Sequence, residues 1–260
     1  MRLFDTHAHL DDEAFDANRD AVVARAESAG LGALLAIGTT AQSSLHCVEL
    51  AAHYPIVSAA VGIQPNYVAE ADSGDWDQIV RLAKAHKVVA LGETGLDRYW
   101  DFTPFSAQED YFDRHLRLSQ QTDLPFIVHM RECGDDILRM LTEARRRGEL
   151  QGVMHSFTGD AELAAACLEL GLYISFAGMV TFKKSSDLRT VATQIPPDRI
   201  LIETDAPYLS PHPKRSQRPN EPALIVHTVA CLAAERSVEE EQFAQQTFDN
   251  GHRLFSRIQR

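Results

Sequence analysis

Paired cysteines, an excess of positive charge and long apolar runs are all missing from this sequence of 260 residues. No C-x-x-C spacing occurs, so the sequence predicts neither a disulfide framework nor a thiolate zinc site at its four cysteines, which are Cys47, Cys133, Cys167 and Cys231. No apolar run approaches the roughly 20 residues of a membrane span, and the first residues lack the pattern of a signal peptide. We therefore expect a cytoplasmic protein without a membrane segment.

The charge balance limits the classes of partner. The chain carries 25 Lys and Arg against 37 Asp and Glu, a formal net charge of -12. This balance argues against a protein that coats nucleic acid through a broad basic face. It leaves room for an enzyme that binds a strand end, because bound divalent metals reverse the local field where a phosphate would lie.

Short apolar segments alternate with longer amphipathic ones along the whole chain, which is typical of repeated βα units. Runs such as ALLAIG and IVSAAVGI suit strands that are buried on both faces, as in a parallel sheet. Eight strands are predicted, at residues 3–6, 33–38, 56–62, 88–92, 126–129, 152–155, 173–176 and 200–204.

Helices are predicted between these strands at residues 16–29, 76–85, 107–121, 134–147 and 161–170, with a helical tail from residue 223. The rival architecture is an open doubly wound sheet, which would need a glycine-rich phosphate turn that the sequence lacks. Eight βα units in about 250 residues match a closed barrel. We therefore predict an α/β fold, a single TIM (β/α)8 barrel domain over residues 1–260.

Ionisable side chains cluster at the carboxyl ends of the predicted strands, the face on which barrel enzymes build their sites. His7 and His9 follow the first strand and point the same way, because side chains alternate along a strand. The other strand ends carry Glu93, His129, His155 and Asp205. Each residue alone is as readily structural, but four histidines and two carboxylates on one rim need a partner, and a metal supplies it.

Six ligands are too many for one tetrahedral ion and suit two divalent ions with a carboxylate between them. Glu93 is the predicted bridge. Asp5 and Glu203 precede ligands by two residues and are predicted to orient them or to balance charge from one layer deeper. These ligand types are compatible with Mg2+, Mn2+ or Zn2+, so two ions from this group are the predicted cofactors. The remaining helical histidines are assigned to surfaces or core edges: His46, His53, His86, His115 and His252.

With these residues in view, the chain resembles the TatD family of metal-dependent deoxyribonucleases, a branch of the amidohydrolase-like barrels. The ordered series of motifs covers nearly the whole chain: FDTHAHL, GETGLDRYWDF, PFIVHMR, HSFTG, SFAGMVTFKK, ETDAPYL and NEP. The resemblance implies metal ligation by the six residues above and 3′-to-5′ exonuclease action on DNA. Asp205 is then expected to accept the proton of the attacking water, with Glu93 as the second catalytic residue.

The chain departs from the family where many members have G-x-H-P-H after the third strand. Here the two histidine positions are Gln64 and Asn66, amides that can hydrogen-bond a phosphate but cannot carry charge. Further contacts to backbone phosphates are predicted in loops after the strands, from Arg98, Arg131, Lys183, Lys184 and Lys214. A terminal base is expected to stack on Tyr99, Trp100 or Phe102, which are as readily explained by loop packing.

Two other functions remain open from the residues. The same metal centre could hydrolyse an ester or amide, as in a deacylase acting on D-aminoacyl-tRNA or a small-molecule amidohydrolase. A non-catalytic metal-binding scaffold is the second, although it would not need a base beside the metals. The expected partners are DNA strand ends, with RNA or aminoacyl-tRNA as alternatives, and we expect a monomer that makes no membrane contact.

Overall fold

The computed structural model describes residues 1–258, and the last two residues of the predicted domain lie outside them. Within these residues the chain forms eight parallel strands, hydrogen-bonded in sequence order from β1 to β8. Their bounds are Leu3–Ala8, Leu31–Ile37, Val57–Val61, Val88–Asp97, Phe126–Arg131, Gly152–Met154, Tyr173–Phe176 and Ile200–Ile202. The predicted (β/α)8 barrel is confirmed.

Nine α-helices surround the strands in the described part of the chain. They are α1 Arg19–Ser28, α2 Ala41–His53, α3 Asp75–Leu82, α4 Phe105–Thr122, α5 Gly134–Arg145, α6 Ala161–Glu169, α7 Ser186–Gln194, α8 Ile225–Glu235 and α9 Glu240–Leu254. No helix within residues 1–258 is long and apolar enough to cross a membrane.

Alternation of side chains divides the core into two layers. In β2, Leu34 and Ala36 pack with the apolar faces of the helices, whereas Ala33, Leu35 and Ile37 belong to a separate cluster. Each of the seven remaining strands adds at least one residue to this second cluster, so the cluster fills the barrel interior. Strands buried on both faces explain why their sequences are almost continuously apolar.

The barrel closes between β8 and β1 through the backbone and one buried carboxylate. Asp205 N donates to His7 O at 2.9 Å, and His9 N donates to Ala206 O at 2.7 Å. Asp5 accepts hydrogen bonds from Thr204 N at 2.9 Å and from Thr204 Oγ1 at 2.5 Å. Asp5 contacts His7 through the backbone nitrogen at 3.3 Å and not through the ring. It therefore joins the two strands that carry ligands, where the sequence suggested that it orients the imidazole.

Three strands extend beyond their predicted carboxyl ends, and each extension carries a site residue. The first strand was expected to end at residue 6, but β1 continues to Ala8 and includes His7. The fourth strand was expected to end at residue 92 and the fifth at residue 129, but β4 continues to Asp97 and β5 to Arg131. The added residues stay paired, Thr94 with Val128 and Asp97 with Arg131. Glu93 and His129 consequently lie inside hydrogen-bonded strands, which restricts their movement more than a loop would.

Candidate metal centre

All six predicted ligands come together at the carboxyl-terminal mouth of the barrel. His7 lies in β1, Glu93 in β4 and His129 in β5. His9 and His155 directly follow β1 and β6, and Asp205 is the third residue after β8. Gly95 allows the close pairing of β4 with β5 here, because its φ is +134° and a side chain at this position would overlap the backbone oxygen of His129.

Four potential ligand atoms from three strands face one another at the centre of the mouth. His7 Nε2 lies 3.4 Å from His9 Nε2, 3.5 Å from Glu93 Oε2 and 3.6 Å from Asp205 Oδ1. His9 Nε2 lies 3.7 Å from the same Glu93 oxygen and 3.5 Å from the same Asp205 oxygen. Adjacent ligands bound at about 2.0–2.2 Å to one ion are roughly 3.0–3.6 Å apart, so the space between these atoms fits a cation.

The second oxygen of Glu93 faces another pair of histidines. Glu93 Oε1 lies 2.7 Å from His129 Nδ1 and 3.1 Å from His155 Nε2. The ring of His155 stacks on that of His7 with centroids 4.0 Å apart. Glu93 therefore presents one oxygen to each pair of imidazoles, which is the position that a bridging carboxylate would occupy. That bridging role stays a prediction.

The hydrogen bonds on the far side of three imidazoles decide which nitrogen carries the proton. His9 Nδ1 lies 3.2 Å from the Ile37 carbonyl oxygen, and His155 Nδ1 lies 3.3 Å from Glu203 Oε1. His129 Nε2 lies 3.0 Å from Asp97 Oδ2. Because each of these partners only accepts, the neutral ring donates outward and its inner nitrogen keeps a lone pair.

These inner lone pairs point at the oxygens of Glu93 and Asp205, which are acceptors themselves. An arrangement of acceptors facing acceptors requires protons or a cation between them. His7 adds a further sign, because its Nδ1 is buried without a hydrogen-bond partner among residues 1–258. The donor set of imidazoles and carboxylates therefore fits divalent metal ions.

The pKa values of the site reflect its unbalanced negative charge. Burial lowers the pKa of His9, but its hydrogen bond to Asp205 and the charges of Glu93 and Asp205 outweigh burial and raise it to about 9. Burial also lowers the pKa of His155, but the charges of Glu93 and Glu203 and its hydrogen bonds to them outweigh burial. The pKa of His155 is therefore raised well above its usual range. Without a cation the carboxylates thus draw protons onto the imidazoles, so metal binding competes with protonation.

Asp97 is a site residue that the sequence reasoning missed. Its Oδ2 accepts from His129 Nε2 and from Asn66 Nδ2, both at 3.0 Å, and its Oδ1 accepts from the backbone nitrogens of Tyr99 at 2.8 Å and Trp100 at 3.0 Å. Burial raises the pKa of Asp97, but these hydrogen bonds outweigh it and lower the pKa to about 2. Its place four residues after Glu93 on one strand, an even spacing, was the available signal.

A cavity of about 670 Å³ lies over the ligands, and three of the seven predicted phosphate contacts line it: Gln64, Asn66 and Arg131. Gln64 Oε1 accepts from Asn66 N at 2.8 Å, so both amides also have partners within the protein. The other four lie elsewhere. Arg98 is paired with Asp136 at 2.7 Å, Lys183 and Lys184 line a neighbouring cavity, and Lys214 lines neither cavity.

His115 was assigned to a surface or core edge, and the structure shows it fully buried in α4. Its Nε2 accepts from Ile63 N at 3.2 Å, and its Nδ1 lies 2.7 Å from the Tyr111 carbonyl oxygen. The neutral ring therefore holds the chain just before Gln64. Burial is the main cause that lowers its pKa to about 4. Helical periodicity did not reveal this contact, because its partner is on another element.

Comparison with known proteins places this geometry in a family. Residues 4–256 match the family model described as TatD related DNase. The chain belongs to the TatD family. It is 38% identical to "Uncharacterized metal-dependent hydrolase YcfH" of Escherichia coli, over 98% of this chain and 96% of that protein. It is 37% identical to "3'-5' ssDNA/RNA exonuclease TatD" of Citrobacter rodentium, over 97% of each chain.

A solved structure supports the same assignment. The crystal structure of YJJV, a TatD homologue from Escherichia coli, superimposes with a TM-score of 0.91 at 31% identity and covers 98% of both chains. The TatD family assignment and the cluster of histidines and carboxylates together identify a metal-dependent hydrolase.

Proposed function

We propose that this protein releases nucleotides from the 3′ end of single-stranded DNA by hydrolysing phosphodiester bonds. The observation that carries the proposal is the convergence of imidazole nitrogens and carboxylate oxygens at the base of an open cavity whose rim bears aromatic and cationic side chains. The relative from Citrobacter rodentium named as an ssDNA/RNA exonuclease supports a nucleic-acid substrate.

The rim of the cavity suits a nucleobase. Among the described residues, five aromatic side chains of the loops after β3, β4 and β8 are exposed: Tyr67, Tyr99, Trp100, Phe102 and Tyr208. The rings of Trp100 and Phe102 stack with centroids 5.1 Å apart. The guanidinium carbon of Arg131 lies 3.7 Å from the centroid of Tyr99. Exposed stacking faces beside a cation are typical of sites for single strands.

Two divalent cations, Mg2+, Mn2+ or Zn2+, are the proposed cofactors, and Glu93 would help to hold both. Bound there, they would lower the pKa of a water molecule and offset the charge of the phosphoryl oxygens. Burial raises the pKa of Asp205, but its hydrogen bond to His9 and the positive charge of nearby imidazoles outweigh burial and lower it. Asp205 therefore stays ionised and can accept the proton of the attacking water.

The proposed role of Asp97 is to hold two parts of the site together. One oxygen holds the ring of His129 and the amide of Asn66, and the other holds the backbone of the loop that carries Tyr99 and Trp100. The stacking face is thus tied to a ligand of the metal centre through one carboxylate. Substrate held on the rim would be aligned with the ligands by this connection.

An exonuclease assay tests the proposal. Protein purified without chelators is incubated with 5′-labelled single-stranded DNA and Mg2+, Mn2+ or Zn2+ in parallel, and separately with an aminoacyl ester. We expect progressive shortening from the 3′ end, no ester cleavage, and loss of shortening in Asp205→Ala. The exposed carboxylate variant Asp77→Ala is the matched control and should behave as wild type.

Two results would overturn the proposal. One is protein that binds divalent metal and cleaves the aminoacyl ester but not DNA, which would make it a deacylase. The other is nucleotide release that persists in Asp205→Ala, which would remove the assigned proton acceptor. Elemental analysis of the same preparation identifies the metal and its stoichiometry.

A further inference from the structure

Lysine is rare in this chain and unevenly placed. Three of its five lysines, Lys183, Lys184 and Lys214, lie in the loops that follow β7 and β8. The segment 207–220 contains no Asp or Glu, although the chain as a whole carries a net charge of -12. Lysine is thus concentrated beside the mouth of an otherwise acidic protein.

These two loops form a second cavity of about 370 Å³, here called the basic pocket. It is lined by Phe182, Lys183, Lys184, Ser185, His212 and Arg215. It adjoins the metal cavity, because each loop contributes to both. Met179 and Leu209 line the metal cavity, and Phe182 and His212, three residues further along each loop, line the basic pocket.

The walls of the basic pocket are held together without a ligand. Thr181 Oγ1 donates to Gly178 O at 2.6 Å and accepts from His212 N at 2.7 Å, which joins the two loops. Gly178 packs so closely that a side chain there would overlap the Leu209 carbonyl oxygen. Ser210 Oγ donates to Gln217 O at 2.6 Å and closes the second loop on itself. The pocket is therefore pre-formed, which reduces the entropy lost on binding.

The cations of the pocket lack internal partners. Within residues 1–258, Lys183, Lys184 and Arg215 make no ion pair and donate no side-chain hydrogen bond, whereas Arg98, outside the mouth, is paired with an acid. The guanidinium of Arg215 lies 3.5 Å from the centroid of Phe182, which orients its planar group. Three oriented or free cations around one cavity match a phosphate.

The start of α7 strengthens this match. The helix begins at Ser186, directly after the four pocket residues 182–185, and Ser185 forms no side-chain cap on the free backbone N–H groups. These groups carry partial positive charge and favour an anion. One carboxylate, Asp187, lies in this first turn and offsets part of the effect. The lysines and Arg215 exceed it in charge.

We propose that the basic pocket binds a backbone phosphate of the single strand whose 3′-terminal phosphodiester lies in the metal cavity. The proposal rests on the proposed function and adds a substrate contact separate from the reacting bond. Phe182 N donates to Met179 O at 3.0 Å, which closes a turn between a residue that lines the metal cavity and one that lines the basic pocket. The first and last Cα atoms of such a turn are within about 7 Å of each other. The phosphate held there belongs to a nucleotide close upstream of the one released.

Kinetics with long and short substrates test this inference. The variants are Lys183→Ala/Lys184→Ala and Arg215→Ala, with Lys84→Ala, an exposed lysine at the end of α3, as the matched control. For a single-stranded 20-mer we expect KM to rise about tenfold with kcat unchanged. Hydrolysis of bis(p-nitrophenyl) phosphate, which is too small to reach the pocket, should equal that of wild type. The control should change neither reaction.

Binding measured without hydrolysis separates the two proposals. Fluorescence anisotropy of a labelled 20-mer on Asp205→Ala protein, with and without the pocket substitutions, reports the pocket alone. The slope of log affinity against log salt should become shallower by about 0.7 if this one phosphate contact is lost. If binding still depends on the pocket but the wild-type protein hydrolyses no DNA, the exonuclease function is rejected and the proposed pocket is retained.

Two results would overturn the pocket. One is an unchanged KM and affinity for the 20-mer in both pocket variants. The other is an equal loss on the 20-mer and on bis(p-nitrophenyl) phosphate, because that loss would place the cations in the chemistry or in folding. Thermal unfolding of each variant is measured in parallel, and the exposed positions predict wild-type values.

Discussion

The two ends of the barrel are built from different side chains. At the amino-terminal end, the ring of Phe4 packs against those of Phe248 and Phe255, with centroids 6.5 and 5.9 Å apart. At the opposite end, His7 and His9 face Glu93 and Asp205. Both ends are buried, but only the first is complete. Apolar rings satisfy one another on contact, while imidazole lone pairs and carboxylates facing each other need a cation. One end of the barrel therefore stabilises the fold, and the other end provides atoms that can bind a cation.

The difference between the ends also separates stability from function. Removing an apolar ring from the closed end costs packing without touching a reactive group. Removing a carboxylate from the open end leaves the strands paired but takes away a reactive group and the charge that faces the imidazoles. Four substitutions test whether the two ends are independent in this way, from the largest expected effect to the smallest.

Glu93→Gln should cause the largest loss. Glu93 contacts both histidine pairs, so we expect kcat/KM on single-stranded DNA to fall by roughly 10⁴-fold, as when one member of a group acting as a unit is removed. In metal-free buffer the free energy of unfolding should also fall, because the buried imidazoles that pair with Glu93 lose its charge. Kinetics, metal analysis and chemical denaturation check this. Activity within tenfold of wild type would show that Glu93 does not bridge.

Phe255→Ala tests the closed end. The ring is fully buried against Phe4, so we expect the free energy of unfolding to fall by about 3–5 kcal/mol. Activity per folded molecule at 25 °C should stay unchanged. The control is Phe102→Ala, an exposed ring that is 60% accessible, for which stability should hold. A large drop in kcat for Phe255→Ala would contradict the independence of the two ends.

His115 gives a pH-dependent test, because this buried histidine faces backbone groups and no carboxylate. Burial, aided by the charge of Arg114, lowers its pKa in the folded protein from 6.5 to about 4. Between these values the unfolded chain binds more protons, so the stability from His115 is complete above about pH 6.5 and declines as the pH falls towards 4. The decline amounts to about 3 kcal/mol over the interval.

The measurement compares denaturant unfolding at pH 7 and pH 4.5 for wild type and His115→Gln. The substitution should flatten the pH dependence, because Gln cannot titrate. His53→Gln changes an exposed histidine at the end of α2 and should keep the wild-type slope. Equal slopes for wild type and His115→Gln would show that this ring does not stay neutral in the fold.

Asp97→Asn should have the smallest effect, a 10- to 100-fold loss of metal affinity or activity, which is typical for partners of ligating histidines. The amide can donate to His129 Nε2 and so favours the wrong tautomer of the ring. Metal affinity measured by chelator competition separates this positioning role from a substrate contact. Asn66→Ala removes a neighbour of Asp97 without touching His129 and should leave metal affinity close to wild type. Unchanged metal affinity in Asp97→Asn would rule the positioning role out.

Much of the architecture was predictable from the sequence because it is local. Apolar strands such as IVSAAVGI and intervening amphipathic helices indicate βα units, and the side chains after each strand must then share one face. The convergence of His7, Glu93, His129 and Asp205 follows from that rule alone. Strand ends were less predictable, because the polar residues of β4 remain in the sheet through pairing with β5.

What the sequence by itself determined is which residue types stand at the barrel mouth, since periodicity and strand order require no knowledge of distance. Only the tertiary structure decided which nitrogen of each imidazole faces inward, that Asp97 holds His129, and that Lys183 and Arg215 share a pocket while Arg98 is paired outside it. These contacts join residues distant along the chain, and closure of the barrel sets their separation. Local sequence patterns do not reveal these separations.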